Sequence, residues 1–164
     1  MSLTRQAVLI VGIGILIWIW QLLSLESLTV PIIGLMVLAY LVASKLTQKN
    51  RSGEKRAIDH YLVLLLSSIV VLLVFSTGGL DSSIFFLLYF AFFAIGFALM
   101  PDSVFIFMAV VVLLLLPQGL KENMSENLIK IGSLILIAPL AYFFSEKTKA
   151  ELADIITKSE EFKE

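Results

Sequence analysis

The feature that most constrains this chain is a repeated alternation of long apolar runs with short polar gaps. The runs approach the roughly 17–25 residues that a helix needs to cross the hydrocarbon of a bilayer. Hydrophobic residues make up 59% of the chain, and the charged residues, 15%, lie almost entirely in the gaps. In soluble domains, about a quarter of the residues are charged. The low charged fraction of this chain and the confinement of its charges to the gaps therefore predict a membrane protein.

The pattern predicts an all-α fold: a polytopic membrane helix bundle over residues 1–145 and a cytoplasmic helical tail over residues 146–164. About six transmembrane helices are expected, the first two of them paired as a hairpin. The fifth either stops at Pro117 or extends to Leu120, and a re-entrant segment is the alternative to a full crossing. Pro139 is expected to kink the sixth helix. The predicted spans are residues 7–23, 28–46, 61–75, 84–100, 104–120 and 128–144.

The distribution of basic residues predicts the orientation. Arg5, the basic gap at residues 47–60 and the lysine-bearing tail fall on one side, whereas the opposite gaps hold Lys121, with Lys130 at the edge of the sixth span. Basic loops remain on the cytoplasmic side of a membrane. We therefore expect a multi-pass protein of the cytoplasmic (inner) membrane, embedded in the lipid bilayer with both termini in the cytoplasm.

Motifs that carry chemistry are missing from the sequence. There is no cysteine and a single histidine, His60, so no metal site is expected. No nucleophile elbow, phosphate-binding loop or zinc-protease helix occurs, and we expect no enzymatic activity. A net charge of −1 offers no basic face for nucleic acid. The predicted spans hold very few ionisable residues, which argues against an ion pump.

The gap between the third and fourth spans has the most specific pattern, because residues 75–90 read FSTGGLDSSIFFLLYF. Gly78 or Gly79 is expected to take the left-handed conformation that ends a helix. Asp81, Ser82 or Ser83 is expected to cap the fourth span. That span is unusually aromatic, and packing bulk is the simplest explanation for its rings.

This segment resembles the T-G-G-L-x-S/N-P-F loop and aromatic helix of the membrane-embedded input modules of bacterial sensor histidine kinases. The residues from Thr77 to Leu80 match, Phe85 or Phe86 stands for the aromatic residue, and Ser83 stands where the family has proline. Redox-responsive sensor kinases linked to quinone carry a related loop. A quinone is therefore the one cofactor that the resemblance suggests. Otherwise no cofactor is expected.

The resemblance implies a signal-input module that senses a membrane or extracytoplasmic condition and relays it through the last helix. It also implies a homodimer through the tail and a cytoplasmic signalling partner. The tail has apolar residues at roughly heptad spacing, which fits either a dimerising stalk or a solvated helix. The candidate sensory residues are Thr77, Gly78, Gly79, Leu80, Asp81, Ser82, Phe85, Phe86 and Tyr89. The candidate output residues are Pro139, Leu152, Ile155 and Phe162.

Two other functions fit a small polytopic chain. One is a membrane solute-binding or transporter-accessory subunit, similar in size to the substrate-capture subunits of vitamin transporters. The other is a structural membrane protein that only holds partners. Oligomeric state separates the first from a sensor, because a sensor module is expected to be a parallel dimer through its tail.

Overall fold

The computed structural model describes residues 2–22, 26–49, 55–120 and 123–161, and these residues form α-helices and no β-strand. The all-helical prediction is confirmed for this part of the chain. A 3₁₀ turn at Gly79–Asp81 lies between the third and fourth helices. The six helices are α1 (Leu3–Leu22), α2 (Glu26–Lys49), α3 (Lys55–Ser76), α4 (Leu87–Ala98), α5 (Ser103–Gly119) and α6 (Met124–Glu161).

Helix α4 begins three residues later than the predicted span, because the residues before it form successive tight turns. The amide of Phe85 donates to Ser82 O, and the amide of Leu87 donates to Ile84 O. Helix α4 ends at Ala98, and Leu99 is already extended. Pro101 follows at once, and its ring cannot continue a helix.

Three prolines lie inside the described helices, Pro31 in α2, Pro117 in α5 and Pro139 in α6. Helix α5 continues through Pro117 to Gly119, so the longer of the two predicted ends is the observed one. Helix α6 continues through Pro139 as a single helix of 38 residues. Each proline removes one backbone hydrogen bond. The predicted tail is therefore the C-terminal part of α6, and it is helical as far as Glu161.

Helix α4 occupies the centre of the bundle, in contact with α3, α5 and α6. Its Leu88, Phe92 and Ile95 side chains are completely buried. Phe92 meets Phe107 of α5 edge to face, with ring centroids 5.2 Å apart.

Within the part of the chain that the structure describes, the first two helices are not each other's main packing partners, as the predicted hairpin required. In the described residues, α1 packs against α5, whereas α2 packs against α3. The physical reason is at Gly14, which is buried and so close to α5 that a Cβ there would overlap the Val110 side chain. Glycine at position 14 thus lets α5 approach α1 closely, while a Cβ at Gly12 would meet nothing within 4 Å.

The surface of the bundle is strongly apolar. Across the described ranges, exposed large hydrophobic side chains outnumber the buried hydrophobic residues. Soluble monomers rarely expose contiguous apolar patches of this extent. Such a surface is the one expected of helices that face hydrocarbon.

Among the described residues, two helices are long and apolar enough to cross a membrane, as judged by length and composition. They are α1 and the part of α6 from Met124 to Lys158, whose most apolar windows are only 22% and 28% buried. The core helix of a soluble protein passes the same test but is mostly buried. The shorter apolar helical stretches are Pro31–Val42, His60–Ser76, Leu87–Ala98 and Ser103–Gly119.

The contact of α1 with α5 predicts that substitutions at Gly14 and at Gly12 differ in their effect on stability. Gly14→Leu should lower the free energy of unfolding by about 1–3 kcal/mol, because overpacking a closely fitted contact strains both helices. Gly12→Leu, the matched control, should be tolerated. Thermal unfolding of both variants in detergent, followed by circular dichroism, measures the difference, and equal melting temperatures would contradict this packing.

Candidate functional site

The site is the loop from Thr77 to Ser82, which joins α3 to α4, and we call it the TGGL loop. Gly78 and Gly79 have φ angles of 118° and 61°. Both are left-handed, so the prediction made for this pair is confirmed. The resulting turns close through donation from Asp81 N to Gly78 O and from Ser82 N to Gly79 O. They turn the Leu80 side chain inward, where it is 2% exposed.

Two hydroxyl groups fasten the TGGL loop across its base. Thr77 Oγ1 and Ser82 Oγ are 2.6 Å apart, and Thr77 Oγ1 also donates to Leu73 O at 2.8 Å. Ser82 Oγ accepts from Ile84 N at 3.3 Å, within the turns that precede α4. The N-cap of α4 is Phe86, without a side-chain bond. The prediction that Asp81, Ser82 or Ser83 caps α4 is therefore wrong, because the helix starts after these turns.

The TGGL loop is attached to the C-terminal end of α5 by one side chain. Gln118 Oε1 accepts from the backbone amide of Leu80 at 3.2 Å. Gly79 lies so close that a Cβ there would overlap the same amide group. Asn127, which is buried at the start of α6, donates through Nδ2 to the carbonyl of Gln118 at 3.4 Å. The loop, the end of α5 and the first turn of α6 thus share one hydrogen-bond network.

Helix α6 contacts the same region through two further polar pairs. Lys130 Nζ lies 3.2 Å from Asp81 and 2.9 Å from Glu126. Tyr89 OH and Ser133 Oγ are 2.6 Å apart. Asp81 is on the TGGL loop, and Tyr89 is in the first turn of α4. Their partners lie in the first three turns of α6. The loop is therefore held directly by the helix that was predicted to carry the output.

The two candidate phenylalanines face opposite directions. Phe85 is buried and meets the Tyr89 ring edge to face at a centroid distance of 5.9 Å. Phe86 is 50% exposed and contacts Phe90 at 6.2 Å. Phe86 is consequently the ring that is available to lipid or to a ligand, whereas Phe85 belongs to the core.

Two of the output residues, Leu152 and Ile155, continue a stripe of buried residues along α6. Ile131, Leu134, Ala138, Ala141 and Ser145 are buried against the bundle, and they recur at alternating intervals of three and four residues. Continued in the same phase, these intervals reach Thr148, Leu152 and Ile155. Leu152 and Ile155 are 55% and 65% exposed. Pro139 lies beside the stripe and is half-buried, and Phe162 lies outside the described residues.

A second polar network closes the opposite end of the bundle. Gln6 of α1 is only 2% exposed. Its Oε1 accepts from the amide of Met100 at 3.1 Å and from Ser103 Oγ at 2.5 Å. Lys149 of α6 donates through Nζ to the carbonyls of Gly96 and Leu99 at the end of α4. A helix C-terminus has unpaired carbonyls and a partial negative charge, both of which favour a cation.

Sequence reasoning missed most of the residues that make these bonds. No motif marks Gln6, Ser103, Gln118 or Lys149 in the sequence as a residue that bonds a distant helix. The available signal was a single polar residue at the edge of an apolar run, because such residues in membrane helices usually find a partner on another helix. Their partners could not be read, since Gln6 and Met100 are 94 positions apart.

A cavity of about 560 Å³ lies between α1, α2 and α3. Apart from Ser68 its described walls are apolar or aromatic, with Trp20, Met36 and Tyr61 among them. None of its lining residues belongs to the TGGL loop. No group of three or more histidine, aspartate or glutamate side chains that could hold a metal ion occurs in the described part of the chain.

Comparison of the chain with models of protein families, with curated proteins and with solved structures finds no match.

The bond between Gln118 and Leu80 predicts the effect of one substitution. Gln118→Leu should destabilise the TGGL loop by about 1–3 kcal/mol, because it leaves the Leu80 amide unpaired in a buried position. Hydrogen exchange of residues 78–84, measured by mass spectrometry, should become faster. Lys130→Met is the control and should change exchange less, because an exposed ion pair contributes little. Equal protection in the Gln118→Leu variant and the native chain would contradict this role of Gln118.

Proposed function

We propose that this chain is a membrane-embedded signal-input module that crosses the bilayer about six times. The TGGL loop is the sensory element and α6 is the output element. The observation that carries the proposal is the hydrogen-bond network that joins the loop, through Gln118 and Asn127, to the first turn of α6, a helix that then continues to Glu161. The proposal also rests on the resemblance of residues 75–90 to the loop of sensor-kinase input modules.

The two polar networks support the alternating direction of the helices that such a topology requires. The TGGL loop, the end of α5 and the start of α6 share one network. The start of α1, the connection from α4 to α5 and the C-terminal part of α6 share the other. With both termini at the second network, that end is the cytoplasmic one by the distribution of basic residues.

Helix α4 is short for a crossing, and its burial supports its place in the bundle. Its 12 residues correspond to about 18 Å at 1.5 Å per residue, against roughly 30 Å of hydrocarbon. The turns before it extend the segment. Non-helical backbone is tolerated at membrane depth where protein surrounds it, and Phe85 and Leu88 at this point are buried.

The length of α6 supports its role as the output. Its 38 residues correspond to about 57 Å of continuous helix, which exceeds the roughly 30 Å of bilayer hydrocarbon. One continuous helix, which includes Pro139, therefore connects Lys130 and Ser133 at one end to Leu152 and Ile155 at the other. Helix α6 thus contacts the TGGL loop at one end and forms the tail at the other.

A chimera tests the sensory role of the loop. The chain would be joined through the C-terminal end of α6 to the dimeric catalytic part of a sensor histidine kinase. Gly79→Val should change the basal autophosphorylation of the chimera, because a side chain at this left-handed position collides with Gln118. Phe86→Ala should change it as well, because it removes the exposed ring of the loop region.

The controls for the chimera are substitutions of the same type elsewhere. Gly34→Val lies where a Cβ meets nothing within 4 Å, and Phe143→Ala removes a ring that is 64% exposed on α6. Autophosphorylation should be unchanged in both. If the two loop variants behave like these controls, the loop is not the sensory element.

Cysteine labelling tests the topology, since the chain has no cysteine of its own. Ser83→Cys and Ser125→Cys should react with a membrane-impermeant maleimide added outside intact cells. Asp102→Cys and Thr157→Cys should react only after the cells are opened. Reaction of Ser83→Cys and Thr157→Cys from the same side would contradict the proposed six crossings.

The alternative function is a solute-binding or transporter-accessory subunit, and the apolar cavity between α1, α2 and α3 is the observation that favours it. Disulfide crosslinking of single cysteines placed successively from Lys149 to Phe162 separates the two functions. Crosslinks that recur about every 3.5 residues indicate a parallel coiled coil and support the sensor. Absence of crosslinks at all positions supports a monomeric binding subunit.

A further inference from the structure

A second cavity, of about 810 Å³, opens at the end of the bundle where Lys149 lies. We call it the basal cavity. It is formed by the start of α1, the start of α3, the end of α4 and the C-terminal part of α6. Gln6, His60, Phe97, Lys149, Leu152 and Ile156 are among the residues that line it.

The basal cavity holds a cation without a carboxylate partner in the described ranges. Lys149 Nζ donates to two backbone carbonyls, and an ammonium group has three donors. Its neighbours on α6 differ, because Lys147 pairs with Glu151 and Lys158 pairs with Asp154. Lys149 Nζ therefore has a third donor that is available to an anion.

A second polar atom of the same wall also lacks a partner. His60 Nδ1 is buried and makes no hydrogen bond within the described part of the chain. Buried polar atoms are nearly always paired, so the unpaired His60 Nδ1, in a cavity wall that also contains Lys149, points to a missing ligand. None of the described lining residues is acidic, which favours a ligand with negative charge.

The remaining walls of the basal cavity are apolar and partly exposed. Phe97 is 45% exposed, and Leu152 and Ile156 are both more than half exposed. Met100 adds a further apolar side chain that is exposed at the same rim. A small inorganic anion would leave this surface uncovered, whereas an amphipathic anion with a hydrocarbon chain would cover it.

We propose that the basal cavity binds one anionic phospholipid, with its phosphate at Lys149 and His60 and an acyl chain along Phe97 and Leu152. Arg5 lines an adjoining cavity with Tyr61, the residue after His60, and adds positive charge near the headgroup. The lipid would bridge α3, α4 and α6 at the cytoplasmic end. This inference rests on the membrane insertion of the proposed function but not on what the TGGL loop senses.

Lipid binding can be measured on the full chain in detergent by native mass spectrometry. Dioleoyl phosphatidylglycerol and dioleoyl phosphatidylcholine would be titrated separately, because they share acyl chains and differ in charge. We expect the phosphatidylglycerol adduct to be the more abundant. Leu152→Glu should weaken that adduct by about fivefold, since it places a carboxylate in the cavity, a loss of about 1 kcal/mol.

Ile155→Glu is the matched control, because Ile155 is exposed on the same turn of α6 but does not line the cavity. It should leave the adduct unchanged, although it would disturb a coiled-coil tail as much as Leu152→Glu does. Lys149→Gln should also weaken the adduct, with Lys147→Gln as its control. Lys149 also caps α4, so the Lys149→Gln variant could fail to fold. In that case the comparison of Leu152→Glu with Ile155→Glu tests the proposal.

Three outcomes would overturn the proposal. The first is equal binding of the two lipids, which would mean that charge is not recognised. The second is an equal effect of Leu152→Glu and Ile155→Glu, which would place the lipid outside the cavity. The third is displacement of phosphatidylglycerol by millimolar inorganic phosphate, which would identify a free-anion site. These three measurements do not depend on the chimera experiment. The lipid site can therefore be rejected independently of the sensory role of the TGGL loop.

Discussion

The arrangement of the bundle depends on the requirement that backbone groups at helix ends find partners where water is scarce. An unpaired amide or carbonyl in apolar surroundings costs several kcal/mol. Gln118 meets this requirement at the break between α3 and α4, and Gln6 and Lys149 meet it at the break between α4 and α5. Each accepts from or donates to the backbone of a distant element, so each also fixes which helices lie together. Apolar contacts alone would leave the helices free to slide.

The two ends of the bundle meet the same requirement by different chemistry. At the TGGL loop, neutral groups form the network, and the ionic pair of Lys130 with Asp81 is exposed at its edge. At the opposite end, the ammonium group of Lys149 is itself the cap of α4. Helix α6 contributes to both networks, and its central part packs on α4, where Gly96 brings the helices together. It is thus the element through which a change at either end reaches the other.

Some of this fold could be predicted from the sequence. Apolar runs bounded by polar gaps are a local signal, and they located all six helices. The paired glycines predicted the left-handed turn, because few other residues tolerate positive φ. The start of α4 could not be predicted, because the apolar run from Ile84 to Met100 has no residue that marks where the turns end. The opposite orientations of Phe85 and Phe86 follow from those turns and were equally hidden.

The candidate site could be predicted only in part, for a related reason. The pattern of residues 75–90 led to the TGGL loop, but the loop's partners lie at residues 118–133 and carry no motif. Gln118 and Ser133 are common residues whose importance comes from position alone. The pairing of α1 with α5 instead of α2 was hidden too, because it depends on the space above Gly14 and not on adjacency in the chain.

The unbroken stripe of α6 has a consequence for any protein built from this chain. Each residue turns a helix by about 100°, so one inserted residue after Ser145 would swing Leu152 and Ile155 to another side. An insertion of seven would return them to within about 20° of the original phase. Natural or engineered fusions at this end should therefore tolerate changes of length in steps of seven residues and be disturbed by the steps between.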